Sequence, residues 1–345
     1  MGFTITLVVI LFGVTLGIAA YSTWLERKVS SFLQDRLGPN RAGIFGLLQP
    51  LCDGGKFFFK EDFIPRNAEK WLFILAPGLM MTISLTVGAV MPWGTPVNIG
   101  GTTYPLQVAD LDIGVLYMVG LVSIGVYGIM IGGWASNNKY SLMGAIRASS
   151  QMISYELPMG LALLAIIMMT GSLKLSVIVN EQATTWYGFG WNVIKQPLAA
   201  IIFITCSFAE CNRTPFDLPE CDSELVGGYH TEYGSMKLGL FLFAEYVNMF
   251  ISSALIASLF FGGYSFPGME KVAEWVSPNV LSAITTTVFF GKIIFGIFFF
   301  MWIRWTIPRF RYDQLMRLGW KILLPLSVVN FLITGAVLVL LKYFS

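Results

Sequence analysis

Apolar residues run along this chain in long unbroken blocks, and the polar positions fall between the blocks rather than alternating within them. Eight blocks stand out, at approximately 2–24, 71–92, 112–135, 152–171, 197–211, 236–262, 282–303 and 323–343. A helix needs roughly 20 apolar residues to cross about 30 Å of hydrocarbon, a length that all but the short fifth block reach or approach. Backbone polar groups in hydrocarbon must be paired within their own segment, so each block predicts a helix. Ten-residue stretches of period-two alternation, the mark of a membrane barrel, are absent. The pattern predicts an all-α polytopic membrane protein with about eight transmembrane helices in a single membrane domain over residues 1–345.

Composition agrees. Of 345 residues, 55% are hydrophobic and 12% charged, and the mean hydropathy of +0.69 is outside the soluble globular range. The segments after blocks one, three, five and seven hold 16 Lys and Arg, whereas those after blocks two, four and six hold 3. The positive-inside rule therefore puts segments 25–70, 136–151, 210–235 and 304–322 on the cytoplasmic face, with both termini on the periplasmic side. The first block lacks the basic start and small-residue cleavage site of a signal peptide and reads as a retained span. Net charge is only +2 and follows topology, which excludes a nucleic-acid stripe.

The first basic segment contains a turn signal, Gly38-Pro39-Asn40, between Arg36 and Arg41. Beyond it, residues 45–59 form an amphipathic pattern, with Leu47, Leu48, Leu51 and Phe58 against Asp53, Lys56 and Lys60, that predicts an interfacial helix. Trp24, Trp71, Trp93, Trp302, Trp305 and Trp320 fall at block ends, as interfacial anchors do, and Phe298–Phe300 reads as lipid-facing bulk. In the last basic segment, Arg309, Arg311 and Arg317 are either topological determinants or contacts to anionic lipid or an acidic partner.

Charge placed against the pattern marks the candidate chemistry. Between Glu210 and Glu232, six carboxylates (Glu210, Asp217, Glu220, Asp222, Glu224 and Glu232) stand against one basic residue, Arg213. Glu156, Glu245 and Lys292 lie inside apolar blocks, where each costs a few kcal/mol facing lipid and must find a partner or water. They are either a buried Glu–Lys pair or a carboxylate relay, and a series of acids favours the relay. Cys52, Cys206, Cys211 and Cys221 form no CxxC pair, and the single histidine, His230, has no ligand partner at motif spacing, so no metal or cluster site is expected. Walker A and strand-linked GxGxxG sequences are absent, which puts any redox carrier, flavin or iron–sulfur cluster on another subunit.

The stretches LERKV, DRLGPNRAG, GLLQP, KEDFIP, SNNKYSLMGAIRASSQMISYELP, AECNRTPFDLPE, SELVGGYHTEY, FLFAEY and PRFRYDQLMRLGWK run from Leu25 to about Pro325. Together they resemble the large proton-coupling membrane subunit of respiratory complex I, a family with bacterial and mitochondrial members. The resemblance implies a subunit of a translocase-type NADH–quinone oxidoreductase, not catalytic alone, that contributes to the quinone-reduction chamber. It implies chamber roles for Glu26, Arg27, Arg36, Asp53, Lys56 and Arg304. Proton coupling would fall to Glu156, Glu210, Asp217, Glu220, Glu224, Glu232 and Glu245, with Arg213 and Lys292 as supporting charges.

The implied partners are the iron–sulfur and quinone-site subunits of a peripheral arm, small membrane subunits, antiporter-like subunits, quinone and lipid. Cys52, Cys211, Cys221 and Asp222 depart from the usual family residues, and Trp305 puts bulk where a small residue is common, next to the implied chamber. Two alternatives remain open. One is the equivalent subunit of a membrane-bound hydrogenase or ferredoxin-type dehydrogenase; the other is a stand-alone cation transporter, for which no paired halves are visible. The expected location is a bacterial inner membrane rather than a mitochondrial one.

Overall fold

A computed structural model describes residues 2–184, 190–217 and 227–344. The apolar blocks are helices: α1 (Gly2–Leu33), α3 (Lys70–Val87), α4 (Gly114–Ala135), α5 (Lys139–Thr170), α8 (Pro197–Glu210), α9 (Ser235–Phe260), α11 (Pro278–Thr306) and α13 (Leu324–Phe344). Shorter helices lie between them: α2 (Gln49–Phe59), α6 (Leu175–Thr184), α7 (Asn192–Lys195), α10 (Met269–Trp275) and α12 (Tyr312–Arg317). A π-helical stretch, Leu318–Leu323, joins α12 to α13. Among the described residues, seven helices are long and apolar enough to cross a membrane, and α8, the short fifth block, adds a 14-residue apolar helix. The protein is an all-α polytopic membrane protein. A two-stranded hairpin, β1 (Val97–Ile99) with β2 (Thr102–Tyr104), is its only sheet among the described residues.

Helix α9 is central. Of its apolar window 67% is buried, against 17% for α1 and 22% for the last span. It packs on α1, α2, α3 and α11, while α5 packs on α4, α8 and α13. Along α1 the buried positions Thr15, Ala19, Ser22, Glu26 and Val29 recur every three or four residues, so one narrow stripe faces α9 and α11. The small side chains among them bring the helix axes close, as packing between spans requires.

The structure corrects several boundaries and assignments. Helix α1 continues nine residues past the end of its apolar block, carrying Glu26 and Arg27 beyond the expected span. Residues 139–151, expected in a loop, are the first turns of α5, because the Asn138 side chain caps the Tyr140 N–H at 3.0 Å and starts the helix early. Trp93 is not an interfacial anchor: it is 2% exposed and packs among Phe250, Phe289 and Phe290. Phe300 is likewise buried, with its ring 4.2 Å from Phe208, whereas Phe298 is exposed as expected. Bulk at a block end serves the core when a neighbouring helix lies over it. Helix α2 forms over most of the amphipathic segment, and none of its residues is fully buried within the chain.

Candidate functional site

Where α1, α9 and the start of the fifth connecting segment meet, four charges are collected inside the bundle. Glu26 accepts from Arg304 at 2.8 Å and lies 3.6 Å from Arg213. Arg213 in turn lies 3.9 Å from Glu245. Tyr246 donates its hydroxyl to Glu26 at 2.9 Å, and the Arg213 guanidinium sits 4.2 Å from the centre of the Tyr246 ring. The Tyr229 hydroxyl is 3.3 Å from a Glu245 oxygen. Glu26, Arg213 and Glu245 are 6%, 4% and 3% exposed and the Arg304 side chain 18%, so two carboxylates and two guanidiniums form a charge-balanced, largely buried network. Such a network stands because its members are paired; removing one partner leaves a buried charge and costs about 3–5 kcal/mol.

Local sequence explains each placement. Asn212, two residues past α8, takes the left-handed region (φ 48°), which Asn tolerates better than most residues, and the chain folds back so that the Arg213 N–H bonds to the Phe208 carbonyl. Gly144 of α5 lets the turn Gly228–His230 lie directly on the helix, since a Cβ there would meet the backbone of Gly228 and Tyr229 at 2.8 Å. Ser141, one turn away, donates to the Tyr229 carbonyl at 2.7 Å and fixes the turn that carries the tyrosine to Glu245.

Glu26 and Tyr246 also line a cavity of about 550 Å³ bounded by α1, α2, α9 and the end of α11. Pro50, Phe57, Phe243 and Trp305 give it apolar walls, and Arg27 and Asp53 add polar ones. Asp53 is held 2.9 Å from Arg27, 3.6 Å from Lys56 and 3.0 Å from the Gln49 amide. A mainly apolar cleft of this size with a few convergent polar groups suits a largely hydrophobic ligand.

Glu156 and Glu210 lie apart from this network. Glu156 accepts a hydrogen bond from Ser123 of α4. Glu210, at the end of α8 and within Coulomb range of Glu156, lines two voids of about 30 Å³ each, one with Ser207 and Ser252 and the other with Ser84 and Asn248. Each void has room for a water and polar groups to hold it. Neither acid has a cationic partner among the described residues.

Not every expected site residue joins these groups. Asp217, 2% exposed, faces Arg309 at 3.5 Å, which ties the fifth segment to the seventh. Glu232 accepts from Asn138 at 2.6 Å at the start of α5. Arg36 does not line the Glu26 cavity but a separate pocket on α1. Lys56 is a solvent-facing neighbour of Asp53. Lys292 forms no Glu–Lys pair: its ammonium donates to the carbonyls of Phe261, Gly263 and Ser265 at 2.7, 2.8 and 2.6 Å. Glu220, Asp222, Glu224 and Cys221 lie outside the described residues.

Tyr246, Tyr229 and Ser123 are contributors that the reading of the sequence did not single out. Tyr246 stands beside Glu245 in the FLFAEY stretch, but a tyrosine in an apolar helix carries no signal of its own.

Residues 5–335 match the NADH dehydrogenase family. Among curated relatives, an H subunit of the NADH-quinone oxidoreductase of Cytophaga hutchinsonii is 60% identical over 334 residues, covering 97% of this chain and 96% of the relative. The corresponding H subunit from Flavobacterium johnsoniae is 58% identical over 96% of this chain and 93% of its own length. NADH-quinone oxidoreductase subunit 8 of Rhodothermus marinus is 49% identical over 90% of each chain.

Proposed function

The chain belongs to the NADH dehydrogenase family, and from that premise we propose that it is a membrane subunit of an NADH–quinone oxidoreductase, joining quinone reduction to proton translocation. The observation that carries this reading is that Glu26 and Tyr246 belong both to the cavity wall and to the buried charge network. A ligand changing charge in the cavity acts directly on groups that continue into the bundle.

The cavity formed by α1, α2 and α9 takes the quinone ring, with its tail along Phe57, Leu240 and Phe243. Quinone supplies a two-electron, two-proton acceptor, and the electrons come from iron–sulfur carriers on partner subunits. Tyr246 presents a hydroxyl at the wall and holds Glu26 in place, while Arg304 fixes the other carboxylate oxygen. Arg213 lies within reach of both Glu26 and Glu245, so a proton gained by Glu26 strengthens its hold on Glu245. One unit of charge at 4 Å is worth about 4 kcal/mol at an effective dielectric of about 20, enough to change a neighbour's protonation. Glu210 and Glu156, which have no cationic partner among the described residues, carry the exchangeable protons onward through Ser123 and the water-sized voids. In this reading Trp305 narrows the chamber, α2 lies at the membrane interface, the basic segments face the cytoplasm, and both termini are periplasmic.

The test is purification of the tagged chain from its native membrane in mild detergent. Recovery with iron–sulfur, flavin and antiporter-like subunits and inhibitor-sensitive NADH–quinone activity supports the proposal; a hydrogenase arm or a solitary chain contradicts it. In the recovered complex, Glu156→Gln should keep assembly intact while lowering proton pumping at least severalfold. Normal coupled activity in that variant would remove Glu156 from the relay.

A further inference from the structure

A second pocket, of about 680 Å³, lies further along α1 and opens between the end of that helix and α11. Phe32, Leu37, Phe298 and Trp302 make its apolar walls, and Lys28 and Arg36 its charged edge; among the described residues no acidic one lines it. Phe32 and Leu37 are 82% and 89% exposed, an arrangement water disfavours. Neither Lys28 nor Arg36 forms an ion pair with a carboxylate among the described residues; the Lys28 ammonium instead lies 5.9 Å from the ring centre of Trp24. The pocket's rim is shaped by close contact: the Arg36 N–H bonds to the Ser31 carbonyl at 2.9 Å, and Gly38 approaches Ser31 so closely that a Cβ would stand 2.6 Å from its hydroxyl.

Two uncompensated cations above an apolar floor, beside tryptophans at the ends of two spans, match an amphiphilic anion at the membrane surface. We propose that this pocket binds one anionic phospholipid, with the phosphate between Lys28 and Arg36 and an acyl chain against Phe298 and Trp302. A neutral quinone would leave the two positive charges without a counter-charge, and a free phosphate gains nothing from the apolar walls. Charge complementarity together with the exposed floor selects the lipid.

Native mass spectrometry of the full chain in mixed micelles tests this, with phosphatidylglycerol and phosphatidylcholine of identical acyl chains as probes at equal concentration. The wild-type chain should retain one phosphatidylglycerol in roughly ten- to thirtyfold preference, the size expected for two basic residues at an anionic surface. Lys28→Gln with Arg36→Gln should bring the two lipids to parity, while the charge-conserving Lys28→Arg with Arg36→Lys keeps the preference. Lys60→Gln with Arg66→Gln, which removes the same charge elsewhere, should leave the preference intact. Equal retention by the wild type, a preference that survives removal of both charges, or loss of it in the Lys60/Arg66 variant would overturn the proposal. Displacement of the lipid by millimolar inorganic phosphate would show an ion site instead, and displacement by a short-chain quinone a quinone site.

Discussion

Arg213 separates two buried acids that would otherwise face each other across the α1–α9 contact, and its guanidinium also rests on the Tyr246 ring. Arg213→Met keeps the unbranched apolar stem of the side chain and removes the charged guanidinium. It should lower stability by about 3–5 kcal/mol, because Glu26 and Glu245 then lose part of their compensation in a buried site. Thermal unfolding of the purified chain, compared with Glu245→Gln/Arg213→Met, checks this: the double variant should recover part of the loss, since one unpaired acid has gone with its partner. Glu245 and Glu156 drew attention in the sequence because a carboxylate inside an apolar block must find a partner or water. Arg213 was visible only as the lone cation of an acidic stretch. Tyr246 was not legible at all, since its role depends on a helix phase and a neighbour 220 positions away, Glu26.

At the scale of elements, two connections are held by lysines in addition to their apolar packing. The chain after α9 folds back with positive φ at Gly262 and Gly263, and Lys292 of α11 donates to three of its carbonyls. Lys292→Met would leave those carbonyls short of a donor and should cost about 3 kcal/mol, with faster proteolysis of the 261–268 turn as the readout. Before α6, Lys174 lies 2.7 Å from Asp110 and 3.7 Å from Asp112. The Lys174 amine is raised above the usual lysine value, mainly by its hydrogen bond with Asp110. A raised value means that the folded state holds the proton more tightly. The contribution is therefore complete below about pH 10.5 and lost as pH climbs through the folded value. Melting curves of wild type and Lys174→Gln should accordingly converge above pH 10.5. Lys292 drew attention in the sequence as a charge in a span, yet its partners are backbone carbonyls, which have no residue signature. The early start of α5 was hidden because the sequence from Lys139 to Gln151 is too polar to extend the apolar block, although Asn138 caps it.

For the whole molecule, the acids within the bundle fall into two environments. Glu26 and Glu245 are buried and compensated by guanidiniums, with Glu26 at the cavity wall, while Glu156 and Glu210, both partly exposed, have no cationic partner among the described residues and lie beside hydroxyls and small voids. Block lengths made the class of fold readable, because hydrocarbon allows few backbone solutions. Which helices touch was not readable, and neither was the sharing of Glu26 between cavity and network, since both depend on packing among spans of similar apolar composition. The most direct measurement is proton translocation and quinone reduction by the intact complex carrying Glu26→Gln, reconstituted in proteoliposomes. The expected result is a rise in the KM for quinone together with a fall in protons moved per quinone reduced, both beyond severalfold, in a complex that assembles normally. An altered KM with unchanged stoichiometry, or neither change, would separate the cavity from the carboxylate network and contradict their coupling through Glu26.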